Sequence, residues 1–244
     1  MNKSKDLSQE DYDNEGLDNE IDNDGDVEQT ARNFLQKRQR TLIIIGIALV
    51  AVIGIIFYLK HRSDENNKAA SIALSRVMPY YNSGAYEAAL KGDPRARVRG
   101  EQIIGLAQIA DEYSSTDAGK LAALLAGNAY LAGGKADDAN RYFDIASKAE
   151  SEIVEKGAAA GRAAALELKG SWGEAAKLYE EAANFSKENR SKTRYMLYAG
   201  LCYERAKDNA NAEKAFRAAI DYDETGELAT YAKQGLTRLG MKIE

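Results

Sequence analysis

The chain has 244 residues, one cysteine, one histidine and a formal net charge of −5. That charge belongs to residues 1–40, with 11 acidic and 6 basic groups; residues 41–59 carry none, and residues 60–244 carry 27 of each sign. The balanced C-terminal part excludes a surface built for phosphate contacts, so nucleic acid is not an expected partner, and a lone thiol excludes an internal disulfide.

Residues 1–40 read as a disordered acidic tail, because "SQEDYDNEGLDNEIDNDGDVEQ" has too few apolar side chains to offset the entropy of ordering. Within it Glu20, Asp22, Asp24 and Gly25 sit near the ligand positions of a calcium loop. The closing position, which needs a bidentate glutamate, is Ala31, so no calcium site is expected.

Thr41 to Leu59 is a run of 19 uncharged residues. As a helix it spans ~28 Å, about the hydrocarbon thickness of a bilayer. It begins too far from the N-terminus for a cleavable leader and runs straight into "KHRSDENNK", so it is expected to persist as a single membrane anchor. Four basic residues (Arg32, Lys37, Arg38, Arg40) precede it within ten positions and three (Lys60, Arg62, Lys68) follow it, a slight bias towards a cytoplasmic N-terminus. His61, between Lys60 and Arg62, reads as a polar residue of the membrane interface.

From Lys60 onward the chain is rich in Ala, Leu, Glu, Lys and Arg, with two prolines and no alternating apolar run, which predicts helices throughout. A pattern then recurs at fixed internal spacing. Gly127, Tyr130, Ala139, Phe143 and Ala146 form one copy; Ala163, Leu166, Ala175, Tyr179 and Ala182 follow 36 residues on; Gly200, Tyr203, Ala212, Phe216 and Ala219 follow after 37 more. Small residues let helix backbones approach and the aromatics fill the space beside them. Upstream, "PYYNSGAYEAALKGD" repeats part of the pattern through Tyr80, Gly84, Tyr86 and Ala89. "RGEQIIGLAQIADEYSSTDAGKLA" predicts an additional helix with Ile103, Leu106, Ile109, Ala110 and Tyr113 on one face.

These residues resemble the tetratricopeptide repeat, a stack of antiparallel helix pairs with a concave binding face. The sequence departs from it where the first helix of each unit has Ala123, Ala159 or Met196 in place of tryptophan, and where the unit-ending proline is missing. The implied fold class is all-α: a tetratricopeptide-like α-solenoid over 60–244, preceded by a single transmembrane helix over 41–59 and the disordered tail. Units are expected near 120–151, 156–187 and 193–224, with a degenerate unit near 70–93 and a capping helix near 227–239 that closes the apolar end.

The resemblance also implies a groove, which would run along Leu121, Leu124, Asn128, Leu131 and Ala132, then Gly157, Ala160, Ala164, Glu167 and Leu168, then Arg194, Leu197, Leu201, Glu204 and Arg205. The change from apolar to charged along this series fits a peptide with an apolar part and an acidic end. Leu124, Leu131, Leu168 and Leu201 are equally placed to pack against neighbouring helices.

The order of tail, anchor and repeats, with "ALKGD" and "IADEYSSTDAGKLAALLAGNAYLAGGKADDA", is similar to the YfgM-like membrane proteins of bacteria. That resemblance implies an inner-membrane protein with its tail in the cytoplasm and its repeats in the periplasm. It also implies the SecYEG translocon and periplasmic chaperones as partners. The alternative is a structural assembly factor for another cell-envelope complex.

No enzyme is expected. There is no glycine-rich phosphate loop after a strand, adjacent carboxylates such as Asp137 and Asp138 point apart on a helix, and the one histidine adjoins the membrane segment. Neither Cys202 nor His61 has metal-ligand company, so no catalytic residue, metal or cofactor is expected, and Cys202 reads as a small buried hydrophobe. Arg95, Arg97 and Arg99 of "DPRARVRGE" form the densest basic cluster outside the anchor region and read as a solvated helix start, the alternative being a contact with anionic lipid headgroups.

Overall fold

A computed structural model describes residues 22–98 and 100–242, with the backbone alone for 22–28, 31, 33–40 and 42. The protein is mostly helical, with ten helices among the described residues. The first, α1, runs from Asp22 to Asn82. It enters the segment expected to be a disordered tail: from Val27 the chain has neither glycine nor proline before Gly46, and good helix formers carry the backbone into the apolar run. Residues 1–21, and the side chains of the residues considered as a calcium loop, lie outside what is described.

The chain divides at Leu59 into two units. In the first, the apolar side chains from Ile43 to Leu59 face outwards and are half or more exposed. This stretch lies in the one helix among the described residues long and apolar enough to cross a membrane.

The second unit begins with the end of α1, where Ala70, Ala73, Leu74 and Val77 turn inward to a shared core. A turn at Gly84 leads into α2 (Tyr86–Lys91), then into a two-stranded antiparallel hairpin, β1 (Gly92–Val98) and β2 (Glu101–Ile104). This hairpin corrects the expectation of an all-helical domain and of a solvated helix start at Arg95 and Arg97; Arg99 lies outside the described residues. The register shifts between Asp93 and Arg97. Pro94 has no N–H for a ladder, and Asp93 Oδ1 accepts from the N–H groups of Arg95 and Ala96 at 3.0 and 3.2 Å, which takes those residues out of the pairing. Glycine is required where the strands meet the helices: a Cβ on Gly92 would stand 2.3 Å from the Ile103 carbonyl oxygen, and one on Gly105 2.1 Å from that of Leu90. An ion pair between Arg76 and Glu101 and a hydrogen bond from the Tyr80 hydroxyl to Asp93 tie the hairpin to the end of α1.

The expected additional helix is therefore shorter, α3 (Leu106–Glu112), with Ile103 buried from the strand and Leu106, Ile109 and Ala110 buried from the helix. Seven helices follow: α4 (Asp117–Ala132), α5 (Ala136–Ala146), α6 (Glu152–Leu168), α7 (Trp172–Phe185), α8 (Asn189–Arg205), α9 (Asn209–Tyr222) and α10 (Glu227–Arg238). Each packs on the next, and α4 also meets α6 as α8 meets α10. Two caps fix starting points: Thr116 Oγ1 accepts from Gly119 N–H, and Asp208 from Asn211 N–H.

The turns inside the helix pairs share one construction. After α4, the Lys135 N–H donates to the Tyr130 carbonyl and the Gly134 N–H to that of Leu131, both at 2.9 Å, with Gly134 at φ +70°. The same two bonds close the turns around Gly170 and Lys207. They satisfy carbonyls that a helix end otherwise leaves open.

The second unit has two apolar clusters that divide along α6. Ala158 belongs to the first, with Phe143 and Leu106, and Ala163 to the second, with Tyr179, Phe216 and Leu236. In each, one phenylalanine is clasped by two glycines. A Cβ on Gly127 or Gly161 would stand 2.5 or 2.4 Å from the Phe143 ring; one on Gly200 or Gly235 would stand 2.5 or 2.6 Å from that of Phe216. Gly127 and Gly200 of the sequence pattern are therefore seats of the two phenylalanines.

Candidate functional site

The middle helix pair departs from this arrangement. Where the flanking pairs have Gly127 with Phe143 and Gly200 with Phe216, α6 and α7 have Ala163 with Tyr179. The Tyr179 hydroxyl needs an acceptor once its ring is buried, and it donates to Glu167 Oε1 at 2.5 Å. A cavity of about 330 Å³ opens at this point, lined by Glu167 of α6, Tyr179 of α7, and Tyr198, Leu201, Cys202 and Arg205 of α8.

Three of these, Glu167, Leu201 and Arg205, are groove positions read from the sequence. The α8 residues come together because Tyr198, Leu201 and Arg205 are spaced three and four apart, which stacks them on one helix face. Tyr198 is 38% exposed, and its ring meets that of Tyr179 edge to face at 5.4 Å. The Arg205 guanidinium lies over the Trp172 indole, 4.5 Å from its centroid. That contact holds the guanidinium beside the indole while Arg205 stays exposed.

The other groove positions lie elsewhere. Leu124 is 8% exposed and covers Gly157, where a Cβ would meet its methyl groups at 3.1 and 3.2 Å; it joins α4 to α6 and offers little to a partner. Leu197, 3% exposed, belongs to the second apolar cluster. Leu131 packs on the first. The Glu204 carboxylate accepts from Arg238 Nε and Nη2 at 2.9 and 2.7 Å, so that charge is already matched. Leu121 and Arg194 are exposed and Asn128 is half-buried, and none of the three lines the cavity. A second cavity of about 320 Å³, between α2 and the end of α4, takes only Ala132 from the expected set.

Sequence reasoning does not assign Tyr179, Tyr198 or Cys202 to the groove, although Cys202 is buried as expected. Tyr179 stands in the repeat pattern as a packing aromatic, and the clue to its second role is a hydroxyl where the other two copies have phenylalanine. Burial pushes the Tyr179 hydroxyl up, and the bond to Glu167 adds to this. Burial likewise pushes the Cys202 thiol up to about 12, with the Glu167 charge raising it and Arg205 opposing. A thiol so displaced is protonated at neutral pH and is a poor nucleophile. His61 lies on α1, 3.5 Å from Glu65, and has no place in this cavity. The cavity thus offers apolar walls, one acceptor and one planar cation, a set suited to holding a peptide side chain.

No protein-family model and no curated protein matches the chain.

Proposed function

We propose that this protein is a membrane-anchored scaffold whose helical domain binds other proteins. The observation that carries this reading is the cavity between α6, α7 and α8, where three groove positions expected from a tetratricopeptide-like arrangement, Glu167, Leu201 and Arg205, line one recess. Consecutive pairing of α4 to α9, with α10 against α8 and α9, supports a short solenoid closed by a capping helix. The protonated Cys202 and the remote His61 support a binding role without catalysis.

The apolar stretch of α1 supports a single membrane pass. The four basic residues before it against three after it support a cytoplasmic N-terminus, and the resemblance to YfgM-like proteins supports a helical domain in the periplasm, anchored in a bacterial inner membrane. The same resemblance supports SecYEG and periplasmic chaperones as partners.

Photo-crosslinking from the exposed Leu168 position in native membranes tests the scaffold. Specific capture of translocon subunits or chaperones is the expected result. Capture of a different envelope complex would replace the translocon by that assembly, and no specific capture from any exposed position of α6 or α8 would overturn the scaffold reading. Protease treatment of sealed inverted vesicles tests topology: the tail should be cut and the helical domain should survive.

A further inference from the structure

Resting on the scaffold reading, we propose that the cavity between α6, α7 and α8 is a subsite for one large apolar side chain of an extended partner segment that carries a carboxylate beside it, with Arg205 holding the carboxylate.

The size of the recess sets the first limit. About 330 Å³ is at the small end for ligand sites, which suits a single side chain better than a cofactor. Its apolar walls are the Tyr198 ring and Leu201, with the Tyr179 ring behind them. Large rigid side chains gain most from such walls.

Charge sets the second. Arg194, Tyr198, Leu201 and Arg205 follow one another at four, three and four residues on α8 and so form one stripe, cationic at both ends and apolar between. The two arginines are ~16 Å apart along the helix axis, a distance that about five residues of extended chain cover. Glu204, the neighbouring acid, is held by Arg238 and leaves Arg205 uncompensated. Among the described residues Arg205 has no carboxylate within ion-pairing distance, while Trp172 holds its guanidinium by a cation–π contact. An exposed, planar guanidinium held beside an aromatic ring is suited to a carboxylate.

Glu167 sets the orientation. Its carboxylate forms a wall of the recess and accepts from Tyr179, so an acidic group is repelled from that wall and directed towards Arg205. The apolar side chain then takes the recess and the acid takes the stripe.

The test uses the full chain in nanodiscs and three fluorescent ten-residue glycine-serine peptides. One has a central phenylalanine flanked by two glutamates, the second replaces the glutamates by lysines, and the third keeps the glutamates but replaces the phenylalanine by serine. Anisotropy is expected to show the first binding about tenfold or more tighter than either of the others, since one charge-assisted hydrogen-bonded pair and one buried phenylalanine each amount to about that factor. Arg205→Glu should abolish the preference for glutamate over lysine, and Arg205→Lys should keep part of it, both with an unchanged far-ultraviolet circular dichroism spectrum. Equal binding of the three peptides, preference for the lysine peptide, or an Arg205→Glu variant indistinguishable from the natural chain would overturn the subsite. Loss of the peptide preference while crosslinks from position 168 persist would remove this inference and leave the scaffold. Loss of all capture would remove both.

Discussion

The Phe143 ring lies so close over Gly161 that a Cβ added there would stand 2.4 Å from two of its carbons. Gly161 is on α6 and Phe143 on α5, so this contact fixes how closely consecutive helix pairs approach. Gly161→Ala forces the ring from its seat, and overpacking of this kind costs about 1–3 kcal/mol. Thermal unfolding should therefore fall by several degrees, and Gly235→Ala against Phe216 should act alike. Gly173→Ala, on α7 where nothing lies within 4 Å, should be neutral or slightly stabilising. Combining Gly161→Ala with Phe143→Leu should cost less than the two singly, because the smaller side chain vacates the contested space. Equal melting temperatures for Gly161→Ala and Gly173→Ala would remove the clasp from the account.

The helix pairs were legible because close crossings need a small residue against an aromatic one, and that demand leaves a fixed spacing in the sequence. The hairpin was not. Arg95 and Arg97 on β1, and Glu101 and Gln102 on β2, fit the polar face of a helix as well as that of a strand; the signal lay in Gly92, Gly100 and Gly105, which punctuate it. The cavity was half legible. Glu167, Leu201 and Arg205 followed from the expected groove, but whether Leu124 and Leu197 face the groove or the core depends on helix rotation, which spacing alone leaves open. Tyr179 was hidden inside the packing pattern that it modifies.

Lys207 makes the turn that glycine makes elsewhere. It lies at φ +62°, while Gly84, Gly134, Gly170 and Gly240 occupy the same left-handed region. A side chain in that conformation carries a cost of roughly 1 kcal/mol or more, offset in part because glycine loses more freedom on folding. Lys207→Gly should raise stability by up to about 1 kcal/mol, visible as a higher denaturant midpoint at unchanged slope. Gly170→Ala should shift the midpoint the other way, although its Cβ would meet nothing. A lower midpoint for Lys207→Gly would show that its side chain contributes more than its backbone costs.

Glu204 and Arg238 join α8 to the last helix, and their pair sets a pH limit. The hydrogen bonds from Arg238 hold the Glu204 carboxyl below its ordinary value of 4.5, against a smaller opposing effect of burial. A group whose folded value is depressed stabilises fully above its unfolded value, and loses that contribution as pH falls through the folded one. The pair is partly exposed, so its contribution is about 1 kcal/mol or less. At pH 7 Glu204→Gln should lower the melting temperature by a few degrees, and the gap should close as the pH falls well below 4.5. A gap that stays constant with pH would mean that the substitution acts through packing and not charge.

Cys202 reports on the cavity wall because it is the only thiol in the chain. It is 2% exposed and burial pushes its pKa up to about 12, so at pH 8 the thiol is almost wholly protonated even before access is considered. Dithiobisnitrobenzoate should therefore label the native chain slowly at pH 8 and reach one thiol per chain at once after denaturation. The Glu167 charge is one of the causes of the raised value, so Glu167→Gln should increase the native labelling rate between pH 8 and 10. Arg205→Ala should slow it, since the guanidinium favours the thiolate. Opposite responses to the two substitutions separate an electrostatic effect from simple loosening, which would speed labelling in both. Rapid stoichiometric labelling of the native chain at pH 8 would place Cys202 outside the closed wall that the cavity requires.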